Sequence, residues 1–256
     1  MSKTWILACA LAGILAPCLP GQDARRIIDE AKQRARSRSE HYEGTLEIQD
    51  PNSKTSIKRW TFDRLGSSGE SKSILRFTAP QELKGVALLI VNHPDHSSGH
   101  SSEQWMWTPA IGRERRIARQ DRSTRFFGTG FSFEDLEERD TDRFDYKIAG
   151  DANLDGAACW RIESKPKQSE SSQYTSSMLW VRKDNYVITQ VENFSNDKLI
   201  RRIRYSDIVR QDSIWTPRKI EVFDAARNSH TALKIDELRY NVPMRAEDFT
   251  VEALRR

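Results

Sequence analysis

The chain has 256 residues, 37% of them hydrophobic and 30% charged, which supplies apolar material for a sizeable core and argues against a disordered polymer. Lys plus Arg number 41 against 37 Asp plus Glu, an interspersed near-balance that argues against a dedicated nucleic-acid binder. No apolar run approaches the roughly 20 residues that a helix needs to cross a bilayer.

Lys3 followed by the apolar stretch from Trp5 to Leu19, broken at Pro17, reads as a secretory signal over residues 1–21, with cleavage expected after Gly21 or Ala24. Leu15-Ala16-Pro17-Cys18 is similar to the tetrapeptide at which bacterial lipoproteins are acylated. Pro17 stands where that pattern wants Gly or Ala, so ordinary cleavage is favoured over lipid anchoring at Cys18. Cys9 and Cys18 leave with the signal, and Cys159 alone cannot form an internal bridge. It reads as a small buried apolar residue.

Ile27, Ile28, Ala31 and Ala35 recur at helical spacing among charged residues and predict one amphipathic helix over about 24–39. Beyond Glu43 the period changes. Short segments rich in Val, Ile, Thr and aromatics predict strands over 44–49, 56–64, 73–77, 85–92, 104–108, 114–118, 145–149, 158–165, 176–182, 188–194, 198–209, 214–223 and 231–240. Turn clusters such as Asn52-Ser53, Gly66 to Gly69, Asn153 to Gly156 and Asn196-Asp197 separate many of them. No repeat and no interior linker interrupts this series, so one domain over 22–256 is expected.

Strand alternation then selects candidate ligand-contacting side chains. Trp60 and Phe62 share one face of their strand, as do Trp105 and Trp107 of theirs, with mostly polar neighbours pointing away. Val86 to Val91 is apolar on both faces, as a strand covered on both sides should be. A curved sheet with an aromatic-rich face must cover it with helices or leave it as a cavity. The hydrophobic ligand-binding set so selected is Trp60, Phe62, Leu75, Phe77, Leu88, Ile90, Trp105 and Trp107, with plain core as the alternative reading.

Four segments of the middle region occur in a telling order: Leu83-Lys84-Gly85-Val86-Ala87-Leu88, Gln104-Trp105-Met106-Trp107-Thr108-Pro109-Ala110, Arg113-Glu114-Arg115-Arg116-Ile117, and Phe127-Gly128-Thr129-Gly130-Phe131-Ser132-Phe133-Glu134-Asp135-Leu136. Together with Ile200 to Asp207, Trp215-Thr216-Pro217-Arg218-Lys219, Thr231 to Asn241 and Asp248-Phe249-Thr250, the set resembles the LolA-like lipoprotein-carrier superfamily, in the branch called outer membrane lipoprotein-sorting protein. The resemblance covers nearly the whole mature chain. Gly130, where the branch usually carries Asp, and Phe133, where it carries Tyr, are departures.

The resemblance implies a mainly β fold: an incomplete antiparallel β-barrel, with an N-terminal helix and short lid helices over an apolar cavity. It implies a periplasmic carrier of lipoprotein acyl chains or other lipids, without catalysis or cofactor. An inner-membrane exporter of the RND type or an outer-membrane acceptor would be its partner, and the carrier would work as a monomer. A protein-interaction or sensing module on the same scaffold is the alternative.

Ser132 with Asp135 is similar to the start of a capped helix running through Leu136 and Glu137, with Gly128 and Gly130 as hinges, so Phe131, Phe133 and Leu136 are candidate lid residues, with a fixed helix covering the sheet end as the alternative. Arg113, Arg115, Arg116, Arg119, Arg122 and Arg125 concentrate positive charge against Glu114 and Asp121. The first five form a candidate basic docking patch for anionic head groups or an acidic partner, or else a solvated strand and loop face. His93, Asp95, His96 and His100 have the offsets of weak metal ligands but lie in a Ser-rich loop, and no metal site is expected. There is no G-x-S-x-G elbow and no phosphate loop, and the pairs Glu134/Asp135 and Glu137/Glu138 look like helix-surface charges rather than an acid/base pair.

Overall fold

The computed structural model describes residues 20–67, 69–93, 102–168 and 171–256. The expected signal lies outside these residues except at its last two positions, as do Asp95, His96 and His100.

Helix α1 (Pro20–Arg34) is followed by thirteen strands: β1 (Ser39–Gln49), β2 (Thr55–Ser67), β3 (Glu70–Ala79), β4 (Ala87–Asn92), β5 (Ser102–Thr108), β6 (Arg113–Arg116), β7 (Phe144–Leu154), β8 (Ala157–Pro166), β9 (Ser176–Arg182), β10 (Ile188–Ser195), β11 (Lys198–Gln211), β12 (Ile214–Asp224) and β13 (Ser229–Tyr240). Each of the thirteen expected strands has its counterpart. The expected helix stops at Arg34 instead of 39, because the chain turns into β1 at Ser39.

All strands belong to one antiparallel sheet in the order β6-β5-β4-β3-β2-β1-β13-β12-β11-β10-β9-β8-β7. The chain meanders from β1 outward to the β6 edge, crosses through residues 117–143 to the opposite edge at β7, and meanders back until β13 pairs with β1. The sheet does not close, so β6 and β7 remain edges and the architecture is the expected incomplete barrel.

Register follows from burial. Leu46 faces Leu233 across the β1–β13 seam, and both are buried on the concave side. The seam kinks at a bulge between Glu43 and Gly44. Only glycine fits there: a Cβ on Gly44 would stand 2.3 Å from the Lys234 carbonyl oxygen and 3.0 Å from Trp60 Nε1. Strand β4 is covered on both faces, with Leu88 and Ile90 in the concave core and Ala87 and Leu89 packed beneath Phe249 and Leu254 of the C-terminal segment. Helix α1 lies against β7, burying Ala24 and Ile28, while Asp23 and the pair Lys32 and Arg34 complement the two ends of its dipole.

Candidate functional site

The segment 117–143 spans the concave side and divides it. Over β2 to β4 its aromatic side chains fill the hollow: Phe126 stacks on Phe77 with centroids 5.3 Å apart, and Phe133 meets Phe126 edge-on at 5.5 Å. The structure therefore places Trp60, Leu75, Phe77, Leu88 and Ile90 in a packed core shared with Phe126, Phe131 and Phe133. None of these borders the larger cavity.

Trp105 and Trp107 lie on the other face of the sheet, beside the C-terminal residues Phe249 and Leu254. Their strand presents Gln104 and Met106 to the concave side instead, because Gln104, fully buried, donates to the Phe133 carbonyl at 3.0 Å and to Glu137 at 2.6 Å. A polar residue holds the inward position and the aromatics the outward one. Phe62 and Leu136 border a smaller recess of about 380 Å³ that shares Lys32, Glu137, Glu138 and Trp215 with the main cavity.

The main cavity, about 720 Å³, lies in the other half of the barrel, between α1, the segment 117–143 and strands β7, β9, β10 and β11. Its apolar wall comes from alternate residues: Leu179 on β9, Val191 on β10, Ile203 and Tyr205 on β11, and Phe144 and Tyr146 on β7, capped by Ile28 and Ala31 of α1. Trp215, partly exposed, stands on the rim.

The carboxylates of the spanning segment are not a solvated helix face, as the sequence suggested. Residues Glu134–Leu136 form a single 3₁₀ turn, so successive carboxylates point to different walls. Asp135 accepts from the Ser132 backbone N–H at 2.7 Å, from Ser132 Oγ at 2.6 Å and from Tyr174 OH at 2.8 Å, and it pairs with Arg201 on β11. The side chains of Asp135 and Arg201 are each 3% exposed, and Asp224 lies 3.6 Å from the same guanidinium. Burial works against the Arg201 charge, but Asp135, Tyr174 and Asp224 outweigh it and hold its pKa above the ordinary arginine value. Burial, reinforced by Asp135, raises the Tyr174 phenol.

Glu134 accepts from the Gln173 N–H at 3.1 Å, and Glu138 accepts from the Gly69 N–H at 3.1 Å and from Ser71 Oγ at 2.8 Å. Glu137 pairs with Arg122 at 3.1 Å, and burial raises its pKa. The turn is thus pinned to the β2–β3 connection, β3, β5, β11 and the β8–β9 connection. Gly130 allows the segment to come close, since a Cβ there would lie 2.9 Å from Val222 Cγ1.

The basic set splits. Arg113, Arg115 and Arg116 sit on the edge strand β6, with Arg115 3.7 Å from Asp121 and Arg116 2.5 Å from Glu103. Arg119 and Arg122 border the main cavity, and Arg122 also donates to the Ser102 carbonyl at 2.7 Å.

One cation was not legible as a candidate in the sequence. Arg139 enters the main cavity, donates from Nη2 to Ser164 Oγ at 2.8 Å and lies with its guanidinium carbon 3.9 Å from the Phe144 ring centroid. Its Nε is buried and finds no hydrogen-bond partner among the described residues, and burial lowers its pKa. Tyr146, 8% exposed, lies beside it, with its hydroxyl close to both the guanidinium and Ser164. Burial pushes the Tyr205 phenol up to about 12. Alternation on β7 and β11 could have marked these positions; what the sequence does not reveal is which half of the barrel stays hollow.

Among the described residues no cluster of three His, Cys, Asp or Glu side chains could hold a metal ion, and no helix is long and apolar enough to cross a membrane.

Comparison with solved structures gives the same architecture in three proteins. A DUF1329 family protein from Desulfovibrio piger superposes with a TM-score of 0.87 at 24% identity, covering 92% of this chain and 99% of its own. A putative outer membrane lipoprotein-sorting protein domain from Vibrio parahaemolyticus gives 0.85 at 21% identity, over 92% and 100%. A LolA superfamily protein from Nitrosomonas europaea gives 0.71 at 18% identity, over 90% and 98%. No curated protein matches the sequence. A family model described as "-like: Uncharacterized protein" matches residues 69–256, well over half of the chain. The chain therefore belongs to that family, and its fold is that of the LolA-like lipoprotein-sorting proteins.

Proposed function

We propose that the chain is a non-catalytic periplasmic carrier, a single domain over 22–256 released by signal cleavage, that shelters acyl chains of lipoproteins or other lipids. The observation that carries this reading is the 720 Å³ cavity with its wall of Leu179, Val191, Ile203 and Tyr205 under α1. That volume falls within the range of about 300–1,000 Å³ typical of small-molecule sites. Each buried CH₂ contributes about 0.8 kcal/mol, so a sixteen-carbon tail in a wholly dry, apolar cavity would gain at most about 13 kcal/mol. The charged residues that also border this cavity keep the real value lower, which suits a carrier that must let go.

The exposed guanidiniums of Arg113, Arg115 and Arg116 on edge strand β6 fit the role of a docking face toward an anionic membrane or an acidic exporter surface. The carboxylates of the spanning turn are engaged as anchors, which favours a structural role for them over that of an acid/base pair. Organic extraction of the purified mature chain, followed by mass spectrometry with detergent controls, should return lipid near one equivalent. A chain that carries none and takes up none from vesicles would sink the reading.

A further inference from the structure

Of the charged groups that border the main cavity, the carboxylates are all engaged. Asp135 is matched by Arg201, Glu137 by Arg122, and Asp140 by Arg143 at 3.4 Å, while Glu134 and Glu138 accept hydrogen bonds from neighbouring segments. Arg139 is different. Among the described residues no carboxylate comes within ion-pair distance of its guanidinium, and Glu134 acts on it only at longer range. It donates to Ser164, has the neutral Tyr146 hydroxyl beside it and rests on the Phe144 ring. The Tyr205 hydroxyl, on the neighbouring cavity wall, likewise has no hydrogen-bond partner among the described residues.

A guanidinium carries five N–H donors and stays charged even when burial lowers its pKa. Held in an apolar-walled cavity without a counter-charge, it carries a desolvation cost that an anionic ligand would relieve. A tail-only ligand would leave both the cation and the phenol unsatisfied. A fully acylated anchor, which presents only esters and amides, would do the same for the charge.

We propose that the cavity takes an anionic amphiphile, with a carboxylate or phosphate head seated against Arg139 and Tyr205 and a hydrocarbon tail lying along Leu179, Val191 and Ile28. This rests on the reading of the cavity as an acyl-chain site and adds the charge of its cargo. The guanidinium supplies charge-assisted hydrogen bonds to the head, Tyr205 donates a further one, and the tail displaces water from the wall.

The test is isothermal titration of the delipidated mature chain at pH 8 with hexadecanoate, hexadecyl phosphate and 1-hexadecanol, each delivered from cyclodextrin. Hexadecanoate or the phosphate should bind roughly tenfold or more tighter than the alcohol, the increment of a charge-assisted bond over a neutral one. Arg139→Gln should abolish that preference by weakening the acid and the phosphate far more than the alcohol, Arg139→Lys should keep part of it, and Tyr205→Phe, which removes only a hydroxyl, should reduce it. Acetate and inorganic phosphate at millimolar concentration should not compete.

Equal binding of acid and alcohol by the wild-type chain, or a preference that survives Arg139→Gln, overturns the head-group assignment while leaving the acyl-chain reading in place. Failure of all three amphiphiles to bind overturns both. Competition by inorganic phosphate alone replaces the amphiphile with a small anion and overturns the proposal. Because Arg139 is enclosed, circular dichroism of each variant accompanies the titrations, and Tyr205→Phe keeps the proposal open to refutation where the arginine variants do not fold.

Discussion

Replacing Asp135 by Asn removes one charge from the enclosed network that ties the spanning segment to β11 while keeping the side-chain shape. Breaking a buried ion pair by neutralising one partner typically costs about 3–5 kcal/mol, because the other charge is left uncompensated. Arg201 would retain Asp224 at 3.6 Å and the Tyr174 hydroxyl, so the lower end applies and a loss of about 3 kcal/mol is expected. For a chain of this size each kcal/mol lowers Tm by about 2–4 °C, which places the expected shift near 6–12 °C in a thermal scan followed by circular dichroism. The Arg201→Met change in the Asp135→Asn background should then cost at least about 1 kcal/mol less than it does alone, since it leaves only Asp224, and not Asp135 as well, without its cation. A shift below about 2 °C, or strict additivity of the two changes, would show that the pairing does not anchor the segment and that the turn is free to lift.

Four further outcomes follow from where the side chains lie. Ala31→Trp places an indole in the main cavity from the α1 side and should reduce uptake of a fluorescent fatty acid at least tenfold with an unchanged circular dichroism spectrum, an effect of about 1.4 kcal/mol or more. Trp107→Glu, on the opposite face of the sheet, should leave that uptake within about twofold; parallel losses in these two variants would mean that ligand does not occupy the main cavity. Gly130→Ala forces Val222 to shift and should cost about 1–3 kcal/mol in urea unfolding, and a neutral result would mean that the close approach is not tight. Cys159 is fully buried and burial raises its pKa, so at pH 8 it remains a protonated thiol; Ellman's reagent should label it far more slowly in the native chain than in urea, and equal rates would contradict its placement.

The strands and their number were legible because alternation over 44–49 or 231–240 is a local signal, written in residues two apart. So was the two-sided cover of β4, in the unbroken apolar run from Val86 to Val91. The hollow was not legible, because it depends on what residues 117–143 do after leaving β6. Phe126 and Phe133 could as well have faced solvent as a lid or covered the β9–β11 wall. Phe126 settles on Phe77 and Phe133 on Phe126, and that choice turns an aromatic face into core. Strand β5 failed differently: its alternation correctly groups Trp105 with Trp107, but nothing in the strand itself shows that Phe249 and Leu254 will cover that side. Likewise, Glu134 through Glu138 have the composition of an exposed helical face, and only the 3₁₀ turn, with its partners far away in sequence, makes them anchors.

The division of the concave side also bears on how such a molecule could hold cargo without trapping it. Had the hollow run the whole length of the sheet, its contact with hydrocarbon would be close to a dry transfer and release would be slow. Filling the β2–β4 half with the chain's own phenylalanines limits the apolar length on offer, and the ionic groups bordering the remainder keep part of it wet. The same spanning segment does both, with Phe126 and Phe133 turned to one half and Glu134, Asp135 and Arg139 bordering the other. Changes that weaken its anchoring should therefore alter capacity and stability together, whereas changes on α1 or at Tyr205 should alter capacity alone. Measuring fatty-acid affinity and Tm in parallel for Asp135→Asn and Ala31→Trp separates the two: a fall in Tm confined to the first and a loss of affinity in the second is the expected pattern, and the reverse would mean that α1, not the spanning segment, holds the barrel together.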